Sequence, residues 1–232
     1  MNSAERPGKE RIMSKKDREY RNMKLTVRTI DGVESDDMIV SGYASTFEQP
    51  YLLFSGEGWE YWEVVDRNAF DETDMSDVIM QYDHMGRVFA RTKNNTLEVT
   101  PDDEGLFIEA KLGGTEIGRE LYDEIRGGYT DKMSFGFTVT GETEGKEKDE
   151  NGVTRYTRRI TSVGKLYDVS AVSIPANDGT SISADAVQRS LAAMSDGVIA
   201  RIEAERLQEA ELELAKRKAE VRAKALSIGG SE

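Results

Sequence analysis

The residues most suited to chemistry begin with a serine in the strand-like segment DKMSFGF. Met133, Phe135 and Phe137 alternate with Ser134 and Gly136. A strand with this pattern has one apolar face and one nearly bare face. On the bare face, the glycine leaves backbone open to a ligand. The serine can act as a nucleophile if a base takes its proton, and a solvent-facing serine fits the same pattern.

A single residue can supply an imidazole, because the 232 residues contain one histidine, His84, and no cysteine. His84 lies between the strand-like VIMQYD and the residues MGRV, at the edge of a predicted loop. The lack of cysteine excludes thiolate catalysis and cysteine-ligated zinc. A metal at His84 would need its other ligands from carboxylates alone, so we expect no metal and no cofactor.

A third candidate lies near the end of the strand-like region, in DVSAVSIPAND. Asp168 falls between Tyr167 and Val169, which are predicted to face the core. A carboxylate at the edge of a core needs a partner, because an unpaired buried charge is costly. An arginine, Arg158 or Arg159, is the ordinary candidate for that partner, and a functional group is the other. The segment ends in a Pro-Ala-Asn turn.

The elements that must position these residues are mainly strands. Between residues 23 and 183, short apolar runs alternate with turn signals such as DG, SGEG, KNN and DDEG. This pattern predicts an α+β protein that is mostly β, with an antiparallel β-barrel-like core and short helices around it. The charged stretch at 141–152 is predicted to be an exposed hairpin loop.

Two short helices and one long helix are predicted. The first is Arg67–Asp74, and the second is Thr115–Arg126, with Thr115 as its cap and glycines after its end. From Ala184 to Leu226 the composition changes to Ala, Glu, Arg, Lys and Leu without proline, which predicts a long amphipathic helix. Its apolar positions are Leu207, Ala210, Leu214 and Val221.

Three regions follow from this organisation. Residues 1–22 are charged and unpatterned and are expected to form a flexible arm, 23–183 form the core, and 184–232 form a helical tail. No apolar run is long enough for a membrane span, and no secretory signal is expected. The net charge is −13, and the acidic excess lies in the core. Such a core repels nucleic acid phosphates, so direct nucleic-acid binding is not expected except through the basic N-terminal arm.

Taken together, the core resembles the prohead maturation proteases of tailed bacteriophages, which are distant relatives of the herpesvirus assemblins. The resemblance extends over residues 23–183, and it is carried by the order and spacing of five motifs. These are GYASTF at 42–47, EVVDRNAFDET at 63–73, YDHMGRVFAR at 82–91, KMSFGFTV at 132–139 and LYDVSAVSIPAN at 166–177.

The resemblance implies a serine endopeptidase in which Ser134 is the nucleophile and His84 the general base. In the herpesvirus relatives the third member is a second histidine, which this chain lacks. In the phage enzymes it is an acid, commonly glutamate, in the segment before Pro-Ala-Asn, and Asp168 occupies that place. Asn177, in the turn that follows, is the candidate donor to the oxyanion, and it is equally suited to forming the turn itself.

The resemblance also implies where the protein acts and on what. The expected substrates are the major capsid protein with its scaffolding region, and the protease itself, inside the prohead in the bacterial cytoplasm. Self-association as a dimer or higher oligomer is expected from the relatives. Two alternatives stay open, a non-enzymatic capsid assembly or scaffolding protein with the same fold and a carboxylate-metal hydrolase. Loss of cleavage on Ser134→Ala substitution would favour the serine protease. Loss of cleavage on chelation would favour the metal hydrolase.

The single histidine permits a direct chemical test. Carbethoxylation of the folded protein can modify only one imidazole, so loss of proteolytic activity should follow modification of His84 one to one. The measurement is residual activity against the extent of modification, read from the ultraviolet absorbance of the adduct. Reversal with hydroxylamine should restore activity, and activity that survives full modification would contradict the assigned base.

Overall fold

The computed structural model describes residues 18–27, 38–172 and 185–228 of the chain. The helices in these ranges are α1 Glu116–Arg126 and α2 Asp185–Ile228, and a short 3₁₀ turn spans Thr92–Asn94. The strands are β1 Glu19–Val27, β2 Ile39–Thr46, β3 Tyr51–Gly56, β4 Trp59–Val65, β5 Ile79–Tyr82, β6 Met85–Arg91, β7 Leu97–Pro101, β8 Gly105–Lys111, β9 Lys132–Lys148 and β10 Thr154–Val172.

These strands form one mixed sheet with an open path. Its order is β3-β4-β10-β9-β1-β2-β8-β7, and β5 and β6 branch from β10. Most neighbours are antiparallel, but β10 runs parallel to both β4 and β5. The prediction of a mostly β protein with a long C-terminal helix is confirmed. The barrel-like core is not, because the described strands do not close into a barrel.

The segment Arg67–Asp74, predicted to be a helix, is instead a series of tight turns. The Ala69 amide donates to the Asp66 carbonyl, and two later backbone bonds within the segment also span three residues. The Asp66 side chain competes with a helix by accepting from the Asn68 amide at 3.0 Å. The Ala69 carbonyl accepts from the amide of Val163, on β10. A backbone carbonyl that a helix would pair internally is therefore hydrogen-bonded to the sheet instead.

The predicted loop at 141–152 is mostly strand. β9 continues to Lys148, where it pairs with Thr154 at the start of β10. The turn between them is short, and the Asp149 side chain stabilises it by accepting from the amides of Asn151 and Val153. Charged side chains are compatible with a strand whose side chains are exposed, so the charge of this stretch indicates exposure and not loop structure.

Helix α1 forms as predicted. The Thr115 side chain caps it by accepting from the Gly118 amide at 3.1 Å. Leu121, Tyr122 and Ile125 are buried in the hydrophobic core, as expected of an apolar stripe.

Helix α2 is 44 residues long, and most of it belongs to a separate compact unit that begins at Leu191. Leu207, Leu214 and Val221 are all exposed on it. No helix in the described part of the chain combines the length and apolar character needed to cross a bilayer. The division between core and tail at 183/184 lies outside the described residues.

The N-terminal strand β1 begins at Glu19 and so includes the last four residues of the predicted arm. It lies between β9 and β2 in the sheet. Residues 1–17 lie outside the described residues, and the flexibility of the arm stays a prediction.

A buried network of charges connects β1 to β4 and β10. The Arg21 guanidinium donates to Glu63 at 2.5 Å and to Glu19 at 2.7 Å. The Arg158 guanidinium donates to the same two carboxylates, at 2.7 Å for Glu63 and 2.6 Å for Glu19. A further ion pair joins Arg158 to Glu142 at 2.5 Å. Paired charges therefore join four strands, β1, β4, β9 and β10.

The network shifts the pKa values of its carboxyl groups. Burial would raise the pKa of Glu19, but the hydrogen bond from Arg158 and the charge of Arg21 outweigh it and lower the pKa to about 2. Burial opposes ionisation of Glu63 as well, and the two arginines still hold its pKa below the ordinary value. Both carboxylates are therefore ionised in the folded protein at neutral pH.

Removing one member of this network should be costly. We expect Arg158→Met to lower the free energy of unfolding by about 3–5 kcal/mol, because Glu19 and Glu63 would stay buried with half of their partners. The measurement is urea unfolding in a Ser134→Ala background, which prevents self-digestion. The control is Arg67→Met, since the Arg67–Asp103 pair is exposed and should contribute less than about 1 kcal/mol. Equal losses in the two variants would show that the buried network stabilises the fold no more than a surface ion pair does.

Stability should also depend on pH through Glu19. Its pKa is about 2 in the folded protein and 4.5 in the unfolded chain, so its contribution of about 3 kcal/mol is complete above pH 4.5 and is lost as pH falls toward 2. Urea midpoints measured from pH 7 to pH 2 should fall less steeply for Glu19→Gln than for the parent. Glu98→Gln, at an exposed position on β7, should follow the parent. Parallel curves for Glu19→Gln and the parent would exclude this role.

Candidate active site

Strand β9 carries Ser134 on the face opposite the core. Met133, Phe135 and Phe137 on its other face are almost fully buried in the hydrophobic core, and the two phenyl rings stack at 4.6 Å between centroids. Ser134 is itself 0% exposed, and its Oγ makes no hydrogen bond to any part of the chain that the structure describes. A buried hydroxyl without a partner is uncommon in native proteins and calls for a functional explanation.

The burial of Ser134 corrects two expectations from the sequence. The residue is not a solvent-facing serine. Gly136 is buried as well, so the face that carries Ser134 and Gly136 is not an open channel at these two positions.

A β-bulge on β10 directs Asp168 to the face that carries Ser134. Leu166 pairs with Phe137 and Asp168 pairs with Gly136, so β10 has one extra residue, Tyr167, at this point. In a regular strand, residues two apart such as Leu166 and Asp168 share a face. The bulge breaks this alternation, so Leu166 and Val169 both lie in the core and Asp168 faces the other way.

The prediction that Tyr167 faces the core is therefore wrong. Tyr167 is only half-buried, and the Arg18 guanidinium lies over its ring at 3.7 Å from the centroid. An alternating pattern cannot reveal a bulge, because the bulge depends on the partner strand.

A two-residue turn between β5 and β6 positions His84. Asp83 and His84 form this turn, with φ of +48° and +58°, as a type I′ hairpin requires at both central positions. Positive φ is disfavoured for residues other than glycine, and such strain is concentrated at functional sites. β5 runs parallel to β10, and the Asp83 amide donates to the Ala171 carbonyl of β10 at 2.9 Å. The turn is thereby held beside Asp168.

His84 and Asp168 are in direct contact. The distance from His84 Nδ1 to Asp168 Oδ1 is 2.5 Å, and the two side chains are 1% and 3% exposed. Opposite a carboxylate acceptor, Nδ1 carries the proton, so the second nitrogen, Nε2, is the basic atom of the neutral ring. The partner of Asp168 is thus the histidine and not an arginine, since Arg158 and Arg159 pair with other acids.

A further serine, which the sequence motifs did not single out, completes the cluster. The Ser170 hydroxyl donates to Asp168 Oδ1 at 2.9 Å, and Ser170 pairs with Ser134 across the β9–β10 ladder. Both residues are fully buried. The spacing in the sequence could have predicted this neighbour of Asp168, because residues 168 and 170 on one strand must share a face.

The structure thus brings two of the four residues expected at the site into contact and places a third on the neighbouring strand. His84 and Asp168 touch, and Ser134 lies on the same sheet face as Asp168. The fourth, Asn177, lies outside the described residues, so its role at the oxyanion stays a prediction.

Comparison with known proteins identifies the class of the chain as a protease. The family described as caudovirus prohead serine protease matches residues 23–196. This match extends over well more than half of the chain, and the chain therefore belongs to that family.

Among solved structures, the capsid assembly protease of bacteriophage T4, gp21, is similar, with 12% sequence identity and a TM-score of 0.37. That similarity covers 67% of this chain and 97% of the phage T4 chain. No curated protein sequence matches the chain.

Proposed function

We propose that the chain is a serine endopeptidase in which Ser134 is the nucleophile, His84 the general base and Asp168 the acid that orients the base. The observation that carries the proposal is the buried contact of 2.5 Å between His84 Nδ1 and Asp168 Oδ1. It lies in a cluster that also holds a serine hydroxyl without a hydrogen-bond partner among the described residues. Membership in a family of serine proteases supports the same assignment.

In each half-reaction of the proposed chemistry, His84 acts first as a base and then as an acid. His84 Nε2 takes the proton of the Ser134 hydroxyl as Oγ attacks the scissile carbonyl carbon. Asp168 keeps the imidazole in the tautomer that this transfer needs and stabilises the imidazolium that forms. The imidazolium then gives its proton to the leaving amine, and an acyl-serine remains. Water, activated by the same imidazole, hydrolyses the ester and restores the hydroxyl.

The proposed substrates are the major capsid protein with its scaffolding region, and the protease itself. The proposed place of action is the prohead interior in the bacterial host cytoplasm, and the family description supports the prohead part of this proposal. Self-association stays part of the proposal. The exposed Leu207, Leu214 and Val221 of α2 offer apolar contacts for it.

Substitution of the three residues tests the proposal. Co-expressed with the shell protein, Ser134→Ala and His84→Ala should give no cleavage, and Asp168→Asn should retain activity reduced by roughly 10³–10⁴-fold. Fragments are identified by mass spectrometry. Self-cleavage should fall within 1–22 or 185–232 and leave 25–183 intact.

Two controls make the result specific. Ser45→Ala removes a buried serine of β2 that is not in the site, and cleavage should continue. Ser134→Ala should unfold at the same urea concentration as the parent or a higher one, because the hydroxyl it removes is buried and unpaired. Cleavage by a clean Ser134→Ala preparation would end the proposal, and assembly without any cleavage by the parent would favour the scaffolding alternative.

A further inference from the structure

We infer that Ser170 is a positioning residue of the proteolytic site, whose hydroxyl fixes the Asp168 carboxylate in the orientation that His84 requires. The inference rests on the proposed function and adds a fourth residue to it. Ser170 Oγ donates to Asp168 Oδ1 at 2.9 Å, and His84 Nδ1 contacts the same oxygen at 2.5 Å. Two donors, one on β10 and one in the turn between β5 and β6, therefore meet at one carboxylate oxygen.

The second donor, the Ser170 hydroxyl, restricts rotation of the Asp168 carboxylate. The terminal torsion of an aspartate is broad, so a single contact with the imidazole leaves the carboxylate free to rotate. Ser170 and Asp168 are two residues apart on one strand, and the hydroxyl therefore approaches from a fixed direction. The strand itself is held on both sides, because β9 and β5 both pair with residues 168–171 of β10. A donor on such a rigid frame restricts the carboxylate to one orientation.

The two serines of the cluster have different surroundings, and this divides their roles. Ser170 and Ser134 are paired across the β9–β10 ladder, and both are 0% exposed. The Ser170 hydroxyl is committed to Asp168, whereas the Ser134 hydroxyl has no hydrogen-bond partner among the described residues. A hydroxyl whose proton is donated to a carboxylate is poorly placed to give that proton to an imidazole. Ser170 is therefore assigned to orientation and Ser134 to attack.

Kinetics of three variants test the inference. The substrate is a peptide that spans a cleavage site mapped in the shell protein, and the enzyme is the full chain. Ser170→Ala should lower kcat by about tenfold and leave KM within about twofold, because one hydrogen bond to a charged group is lost away from the substrate. Ser170→Thr keeps the hydroxyl and should recover most of the lost rate. Ser45→Ala, at another buried serine of the sheet, should behave as the parent.

A spectroscopic measurement tests the same hydrogen bond without activity. In a Ser134→Ala background the single histidine gives one Nδ1 proton resonance, shifted far downfield by the short bond to Asp168. Ser170→Ala should weaken this resonance through faster exchange with water, because the carboxylate is less constrained. Ser170→Thr and Ser45→Ala should leave it unchanged.

Three outcomes would overturn the inference. The first is a Ser170→Ala protein with both the parental kcat and the parental resonance. The second is a change in KM alone, which would indicate a role in binding substrate. The third is an equal loss in Ser170→Thr and Ser170→Ala, which would indicate packing. If instead Ser134→Ala cleaves as well as the parent, the proposed function fails, and the resonance alone decides whether Ser170 positions Asp168.

Discussion

β10 pairs with three neighbours, antiparallel with β9 and parallel with β4 and β5, and the rest of the structure depends on these pairings. Its pairing with β9 puts Ser170 opposite Ser134 and Asp168 opposite Gly136. Its pairing with β5 brings the turn that carries His84 to the same place. A shift of register by one residue on either side would send these side chains to the opposite face, so the site exists only in this register.

Two buried polar clusters lie at different points along β10, and they differ in how completely their groups are paired. Around Arg158 each charge has a partner of opposite sign, and the cluster joins β1 and β4 to the middle of the sheet. Around Asp168 one hydroxyl, that of Ser134, has no hydrogen bond within the described chain. A complete network contributes to stability, whereas an incomplete one is a cost that function explains. The contrast supports the proposal that the first cluster is structural and the second is reactive.

The burial of the Ser134 hydroxyl also bears on the strength of the electrostatic interactions at the site. The hydroxyl and the two side chains that would activate it are almost completely covered. A covered site strengthens the electrostatic interactions within it, because water is excluded.

The sequence by itself determined the family and the residues with reactive side chains, because motif order and the single histidine are visible without a structure. It also determined α1, from its cap and apolar spacing, and the long helix α2, from its composition, because these signals are local. Only the tertiary structure decided the open sheet, the turns at 67–74, the bulge at Tyr167 and the contact between His84 and Asp168. Each of these depends on which strands pair and in what register. Pairing between residues 84 positions apart leaves no local pattern in the chain, and this is why the partner of Asp168 stayed open until β5 was seen beside β10.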